Sequence, residues 1–441
     1  MYLSAITELE RLSKDDLVKI ILQLQNKIIE LENELKKYKN SNTPPSSNKH
    51  LKPNTKGKKS KQGRKRGAPK GHKGTTRRQT VERHEVIDAD NCPCCGSDNL
   101  EDEKVLKRVV EEIPEPVIPE TVENEVHKKV CLDCGHHFIP EHNTVPLKGK
   151  FGINVMILVI FIKFLLRGVL RKTAKFLRTG FALSLTPASV NAIVGRVAGA
   201  ACREYNEPKE RIRRSDIAYV DETSFSVLGK NQWVWIFRTL HDILLVVRPS
   251  RGSPVLKEIL GLDYQGKVIC DCWRAYDFLG ILQRCWAHLL RKAEDLKETV
   301  FGMHLYEKLK SMFKEIKRFN RTNPTTEERA AKYETMTKEL KATIKYYSRY
   351  DELKGIITYI GNNIGNWFTC VKYEGIEPTN NFAEQALRET VIVRRIIGAF
   401  RSENGKQNYE TLASLLSSWQ LNNLDIKEKL RSTLIKNLCF C

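Results

Sequence analysis

The apolar residues near the start of the chain follow the spacing of a coiled coil. They alternate by four and three positions, which keeps them on one side of a helix: Leu17, Ile21, Leu24, Ile28, Leu31, Leu35 and Tyr38. Residues 41–82 are nearly free of apolar side chains and rich in Pro, Gly, Ser and Lys, so they offer this helix nothing to dock on. We therefore predict a coiled coil over 1–40 that joins copies of the chain, and a disordered basic linker over 41–82. The alternative is an amphipathic helix that packs on its own protein.

The most apolar run of the chain is "INVMILVIFIKFLLRGVL". Asn154, Lys163 and Arg167 interrupt it, and these side chains would be unfavourable at the corresponding depths of a bilayer. The run therefore predicts a buried helix, and we expect no membrane partner.

The segment that follows has the pattern of two helices joined by a turn. A turn at Gly180 is followed by Thr186 as N-cap and Pro187 at the first helical position. This arrangement is typical of a helix-turn-helix that binds DNA, and equally of an ordinary helical hairpin. Both interpretations stay open for the helical region over 146–214.

From residue 215 the pattern changes to strands. "DIAYVDETSFSV" predicts a strand that ends at Asp221, "QWVWIFRTLHDILLVV" predicts two strands with a turn near Thr239, and "SPVLKEILGL" predicts a helix. "GKVICDCWRAY" predicts a fourth strand that ends at Asp271. This order is that of a ribonuclease H-like fold, in which the first and fourth strands are neighbours. The two aspartates should therefore meet.

The stretch "PTNNFAEQALRETVIVRR" predicts a helix with Glu384, Arg388 and Arg395 on one stripe. Asn381 and Glu384 also have the spacing of a capping box, so Glu384 has a structural alternative to a chemical role. If its carboxylate joins the two aspartates, their repulsion requires divalent cations, and hard oxygen ligands suit two Mg²⁺ or Mn²⁺ ions. Such a pair of ions serves phosphodiester displacement.

The residues between Asp271 and Glu384 exceed what this core needs, and their charged, helical pattern predicts an α-helical insertion over about 292–372. Cys285 and His288, in "CWAH", have metal-like spacing on a helix. Soft ligands make a poor magnesium site, so we interpret them as packing at a helix start, with metal ligation as the alternative. Trp286 and Trp367 are interpreted as core residues, with base stacking as the alternative.

Two Cys-x-x-Cys-Gly turns predict a structural zinc site in a zinc ribbon over 83–145. The intervening β-branched residues suit strands that space the two turns. Cys94 could replace one ligand, and His136 is a weaker substitute. The four predicted ligands leave no open position for catalysis: Cys92, Cys95, Cys131 and Cys134.

The net charge of the chain indicates what kind of partner it binds. The chain has 441 residues, 41% of them hydrophobic, and 74 Lys and Arg against 53 Asp and Glu give a formal net charge of +21. Such an excess favours a polyanionic partner, and nucleic acid is the first candidate. No secretion signal opens the sequence, so we expect a cytoplasmic, nucleoid-associated protein with reduced cysteines.

The successive blocks "VDET", "WVWIF", "PSRG", "DCWRAYDFL", "CWAHLLRKAEDL" and "EPTNNFAEQALRETVIVRRIIGAFRSENG" resemble those of transposases of the insertion sequence 66 family, in the same order. The N-terminal half is similar as well. The resemblance implies a ribonuclease H-like core with an Asp, Asp, Glu (DDE) triad at Asp221, Asp271 and Glu384. It also implies action on the terminal inverted repeats of a mobile element.

We therefore predict a multidomain α/β protein with a catalytic domain over 215–430 and a tail over 431–441. The predicted function is DNA transposition, with phosphates contacted by Arg251, Arg388, Arg394 and Arg395. DNA, further copies of the chain and accessory transposition proteins are the expected partners. The alternative is an inert zinc-ribbon DNA-binding protein, either a repressor or a decayed transposase.

Overall fold

A computed structural model of the chain comprises two compact units, Met1–Glu115 and Pro116–Cys441. Leu24 and Lys27 are helical and exposed. The rest of the predicted coiled coil, and the whole basic linker, lie outside the described residues. The structure describes residues 24, 27, 91, 93–99, 118–125, 127–138, 145–146 and 148–439.

A small antiparallel hairpin carries the second predicted cysteine turn. Its strands are β1 (Lys129–Val130) and β2 (His137–Phe138). The Cys131 N–H donates to the His136 carbonyl at 2.8 Å, and the Gly135 N–H donates to the Cys131 carbonyl at 2.9 Å. Gly135 has a φ of 69°, a left-handed conformation that glycine adopts without strain.

A helical region follows this hairpin. Met156, Val159 and Ile160 are fully buried, which confirms the buried helix predicted for the most apolar run. This helix is extended by one π-helical turn, Phe161–Leu165. The helices of the region are α1 (Ile153–Ile160), α2 (Leu170–Phe181), α3 (Pro187–Ala200) and α4 (Cys202–Arg213).

The connection between α2 and α3 differs in part from the prediction. Helix α2 continues through Gly180, and the left-handed residue that ends it is Ala182, with a φ of 51°. Thr186 is the N-cap of α3, as predicted, because its hydroxyl accepts from the Ser189 N–H at 3.0 Å.

The C-terminal helices complete the core of this region. Leu412 and Leu430 are buried in one cluster with α1 and α3. The described part of the predicted tail, residues 431–439, contributes to the same core, since Leu434 and Cys439 are also buried there. These helices are α12 (Glu403–Leu421) and α13 (Ile426–Leu434), the latter followed by a π-helical turn, Ile435–Cys439.

Within the described residues six strands form one sheet with the order β5-β4-β3-β6-β7, and β8 pairs with β3. Strands β3, β4 and β5 are antiparallel, whereas β6 and β8 run parallel to β3 and β7 runs parallel to β6. The predicted pairing of the first and fourth strands is confirmed by β3 and β6. The strands are β3 (Ile217–Val227), β4 (Lys230–Arg238), β5 (Ile243–Arg248), β6 (Lys267–Cys270), β7 (Ile281–Arg284) and β8 (Ala399–Phe400).

Strand β3 is longer than predicted. It continues past Asp221 to Val227 because β4 pairs with it up to that residue. Leu228 and Gly229, with φ of 51° and 77°, close the hairpin. A two-residue turn with positive φ at both positions matches the twist of the paired strands.

Helices cover both faces of the sheet. One face packs against α4 and α5 (Ser253–Leu260), and the other against α11 (Asn381–Ile397) and the inserted helices. Trp286 and Trp367 are fully buried, and the Trp286 indole donates to the Trp367 carbonyl at 2.6 Å, so both are core residues. The inserted helices are α6 (Trp286–Glu294), α7 (Val300–Asn320), α8 (Thr326–Tyr347), α9 (Lys354–Gly361) and α10 (Thr369–Lys372).

Candidate active site

The register of two parallel strands brings the predicted aspartates together. Tyr219 on β3 pairs with Ile269 on β6. Asp221 and Asp271 each lie two residues further along, Asp221 still within β3 and Asp271 just after the end of β6, so they stand at the same level of adjacent strands. Side chains two residues apart on a strand point to the same face. Both carboxylates therefore face the side of the sheet that α11 covers.

A gap in the pairing of the sheet lies beside Asp221, which is half-buried in the middle of β3. Strand β6 pairs with β3 only up to Tyr219, and β8 pairs with it only from Ser226. Helix α11 bridges this gap: the side-chain amide of its N-cap, Asn380, donates to the Val220 carbonyl at 2.8 Å. Further along the helix, the Arg394 guanidinium donates to the hydroxyl of Thr223 at 3.1 Å.

Asp221 has an electrostatic environment that opposes its ionisation. Burial raises its pKa to about 8, and the neighbouring carboxylates of Glu222, Asp271 and Glu384 add to the rise. The Glu222 N–H donates to Asp221 Oδ1 at 2.9 Å and lowers the pKa, but less than these effects raise it. Asp271 and Glu384, the other two carboxylates predicted for the triad, thus both act on Asp221 in the folded chain.

Glu384 does not form the predicted capping box. Helix α11 begins at Asn381 with Asn380 as N-cap, and no side chain makes a capping hydrogen bond there. Only the Glu384 backbone takes part in the first turn, through its N–H to the Asn380 carbonyl at 3.1 Å. The carboxylate is therefore available for another role.

The Glu384 carboxylate lies opposite the first turn of α6. His288 Nδ1 is 3.6 Å from Glu384 Oε1, and Arg291 Nη2 is 4.0 Å from Glu384 Oε2. The ligand atoms of Cys285, His288 and Glu384 all lie within 4.8 Å of one another. The sequence placed Cys285 and His288 on one face of a helix, but it gave no sign that this face meets Glu384.

A buried arginine, which the sequence did not single out, holds the loop of Asp271. Arg284 on β7 is fully buried, and its guanidinium donates to the Asp271 carbonyl at 2.6 Å and to Asn363 Oδ1 at 2.9 Å. It also pairs with Asp277 at the end of the loop. The Trp273 N–H donates to Asp271 Oδ1 at 2.9 Å, which orients the carboxylate. The sequence signal that could have identified Arg284 is a charged residue in the otherwise buried strand "ILQR".

The second acidic residue of "VDET" faces the opposite side of the sheet. Glu222 accepts from Tyr276 at 2.7 Å and from Arg251 at 2.9 Å. The Arg251 guanidinium also lies 4.7 and 4.5 Å from the ring centres of Trp233 and Trp273. Arg251, predicted to contact phosphate, thus has three protein partners.

The other predicted DNA-binding arginines separate into two kinds. Arg394 is partly buried and donates to Thr223 and Ser224 on β3. Arg388 and Arg395 are exposed, and neither forms an ion pair or hydrogen bond with another residue that the structure describes.

The three residues predicted as a triad carry ligands of the kind that divalent cations prefer. Asp221, Asp271 and Glu384 offer hard oxygen ligands, and Glu384 Oε1 is buried without a hydrogen-bond partner. A bound cation would relieve the carboxylate repulsion that raises the pKa of Asp221.

The zinc site is described only in part. Cys131 and Cys134 lie in the turn of the β1–β2 hairpin, where N–H groups of Cys134 and Asp133 lower the pKa of the Cys131 thiol. A lowered thiol pKa favours the thiolate that zinc requires. Cys92 lies outside the described residues, and the exposed Cys95 belongs to the N-terminal unit. The four-cysteine site stays a prediction.

Comparison with protein families identifies the family of this chain. A family model described as Transposase IS66 family matches residues 148–408, more than half of the chain. The chain belongs to the IS66 transposase family. The matched range of this transposase includes all three residues of the predicted triad.

The N-terminal part of the transposase matches a second model. Residues 4–78 match a family of unknown function (DUF6444), over the predicted coiled coil and most of the basic linker. No curated protein matches the transposase. None of the helices in the described ranges has the length and apolarity needed to span a membrane.

Proposed function

We propose that this transposase cleaves DNA at the terminal inverted repeats of its own insertion sequence and joins the freed 3′ ends to target DNA, with Asp221, Asp271 and Glu384 as its catalytic triad. One observation carries the proposal: the two aspartates lie at one level of adjacent parallel strands, and the Glu384 carboxylate on the covering helix helps to raise the pKa of Asp221. The strand order also favours a ribonuclease H-like core with a helical insertion.

Each carboxylate has a distinct support. Asp221 is held by β3 and its neighbour's N–H, Asp271 by the loop fixed through Arg284, and Glu384 by a helix anchored to β3. When bound, Mg²⁺ or Mn²⁺ supplies positive charge that activates the attacking oxygen and stabilises the leaving one. A raised pKa favours the protonated Asp221 carboxyl in the free protein, so Asp221 would release its proton to solvent when it binds a cation.

The four arginines predicted to bind phosphate have two different roles around the triad. Arg388 and Arg395 contact DNA phosphates, since both are exposed on α11 and have no protein partner among the described residues. Arg251 and Arg394 hold the scaffold instead, through Glu222 and β3. This division refines the expectation that all four bind phosphate.

Helix α2 provides the DNA-binding surface of the helical region. Its exposed residues include Arg171, Lys172, Lys175 and Arg178. The exposed positions of α3, among them Ala188, Asn191 and Ala192, carry no charge. Phosphate contacts through α2 therefore fit the region better than the helix-turn-helix arrangement, in which the second helix enters the groove.

A cleavage assay on the ends of the element tests the proposal. We expect strand cleavage that requires Mg²⁺ or Mn²⁺ and that is lost in Asp271→Asn, while binding to the inverted repeats persists. Binding without cleavage by the unaltered protein, at any concentration of either cation, would indicate the inert DNA-binding alternative.

A further inference from the structure

Three potential metal ligands of different chemistry meet beside the triad. Cys285 is the N-cap of α6, His288 lies in the first turn of the same helix, and Glu384 lies in the first turn of α11. Their sulfur, nitrogen and oxygen ligand atoms lie within 4.8 Å of one another. Cys285 is fully buried, and the other two side chains are about 30% exposed, at 29% and 30%.

Two atoms of this cluster have no hydrogen-bond partner. His288 Nδ1 and Glu384 Oε1 are buried and unpaired, and the 3.6 Å between them exceeds the length of a normal hydrogen bond. Buried polar atoms are nearly always paired, so this pair points to a missing ligand. The Cys285 sulfur already accepts from the Asn380 N–H at 3.2 Å. Such outer contacts are typical around metal-bound thiolates.

We infer that Cys285, His288 and Glu384 form a binding site for a borderline-soft divalent cation such as Zn²⁺. Thiolate, imidazole and carboxylate together suit zinc, and three protein ligands leave a fourth position open to water. The site does not suit Mg²⁺, which prefers oxygen ligands.

The site shares Glu384 with the proposed catalytic triad. A Glu384 carboxylate bound to zinc beside Cys285 and His288 is withdrawn from Asp221 and Asp271. Zinc at this position therefore inhibits cleavage in competition with magnesium. The inhibition rests on the proposed function, whereas zinc binding itself does not.

Cobalt is the probe for the binding test, because Co²⁺ bound to thiolate in a tetrahedral site absorbs visibly and in the near ultraviolet. The full chain is titrated with Co²⁺ after Cys95, Cys131 and Cys134 are changed to Ser, which removes the predicted ribbon site. We expect one equivalent with a thiolate charge-transfer band. That band should disappear in Cys285→Ser, and the affinity should fall at least about tenfold in His288→Gln.

Cys272→Ser is the matched control. Cys272 is partly buried, directly follows Asp271 in the loop after β6, and lies outside the three-ligand cluster. It should leave the cobalt spectrum unchanged. Because Cys285 is buried, His288→Gln and Glu384→Gln are the deciding variants if Cys285→Ser does not fold. A cobalt spectrum and affinity that are unaltered in both would overturn the inference.

Cleavage assays test the competition. At fixed Mg²⁺, zinc should inhibit the protein, added Mg²⁺ should relieve the inhibition, and His288→Gln should require at least about tenfold more zinc relative to its own uninhibited rate. Inhibition that magnesium does not relieve would contradict the competition.

The two proposals can fail separately. If Glu384→Gln abolishes cleavage but Co²⁺ does not bind at Cys285, the zinc site is wrong and the triad stands. If Glu384→Gln cleaves normally but loses the cobalt band, the triad is wrong and the zinc site stands.

Discussion

Asp221 and Glu222 are adjacent carboxyl groups with different surroundings. Asp221 faces Asp271 and Glu384, whereas Glu222 faces Arg251 and Tyr276. The alternation of a strand separates them, because successive side chains point to opposite faces. Burial and, after it, repulsion by Asp271 raise the pKa of Glu222 as well, but its oxygens accept from Tyr276 and Arg251. The carboxylate of Asp221 has only its neighbour's N–H as a donor among the described residues, so its repulsion is better suited to relief by a cation.

The repulsion around Asp221 predicts a pH-dependent gain of stability in Asp221→Asn. The pKa of Asp221 is about 3.9 in an unfolded chain and about 8 here, so ionisation destabilises the fold as pH rises between these values. With a chelator present, the variant should match the parent near pH 4 and unfold at a higher temperature near pH 9, by about 2–4 °C for each kcal/mol of repulsion that is removed. Thermal unfolding monitored by circular dichroism measures this. A difference that does not change with pH would contradict the proposed environment.

Glu384→Gln should separate a catalytic role from a structural one. The carboxylate makes no capping bond, so the loss of its charge should leave the fold intact. Strand cleavage should fall by orders of magnitude, because a cation loses a negatively charged ligand. Glu389→Gln is the matched control, since Glu389 lies on the same helix and pairs with Arg167. Similar cleavage by both variants would remove Glu384 from the triad.

At the scale of elements, two helix starts and one short strand build the site. Helix α11 is anchored to β3 by Asn380 and Arg394, and α6 brings Cys285 and His288 to the same place. Strand β7 supplies Arg284, which links the Asp271 loop to Asn363 beyond α9. One guanidinium thus links the inserted segment after α9 to the loop of Asp271.

Arg284→Gln should destabilise the protein strongly. It removes a fully buried guanidinium that serves Asp271, Asp277 and Asn363, so their hydrogen-bonding groups lose their partner. Loss of one partner from such a pair lowers the free energy of unfolding by about 3 kcal/mol. Denaturant unfolding followed by fluorescence measures the change. Arg274→Gln, at an exposed position in the same loop, should change it by less than about 0.5 kcal/mol.

Replacement of the charge on α2 should weaken DNA binding in a salt-dependent way. Fewer counterions are released when Arg171, Lys172 and Lys175 are changed to Gln, so the slope of log affinity against log salt should decrease by roughly 2–3. Fluorescence anisotropy over a salt series measures the slope. The control replaces three exposed lysines of α8 by Gln: Lys338, Lys341 and Lys345. An equal decrease in both variants would indicate general electrostatic attraction instead of an α2 surface.

At the scale of the molecule, the residues that precede the transposase family match contribute basic charge and the predicted self-association of the chain. The formal charge of +21 favours a polyanionic partner, and residues 57–80 concentrate part of it. The predicted coiled coil would join copies of the chain, so that two catalytic units could act on two element ends.

Ile21→Asp combined with Ile28→Asp should convert an oligomer into a monomer, because charges at seam positions are unfavourable between packed helices. Light scattering coupled to gel filtration gives the mass. Lys27→Asp is the matched control, since Lys27 lies between the two seam positions and is exposed. A mass that the double variant leaves unchanged would place the contact elsewhere.

The sequence by itself determined those features that depend on local periodicity and strand order. Alternating apolar residues identified the strands around Asp221 and Asp271, and their order predicted that β3 and β6 pair. The spacing along α11 separated its buried residues from Glu384, Arg388 and Arg395. The Thr186 N-cap could likewise be predicted from the sequence, because a capping side chain bonds to a backbone N–H within the next four residues.

Only the tertiary structure decided which side chains from distant segments meet. His288 and Glu384 are 96 positions apart, and nothing in either helix indicates that their first turns face each other. The same holds for Arg284 with Asn363 and for Arg394 with β3. Periodicity shows which face of an element is buried, but the partner of that face depends on how all elements pack together. For this reason the sequence predicted the carboxylates of the site. Only the structure showed which cysteine, histidine and arginine side chains lie beside them.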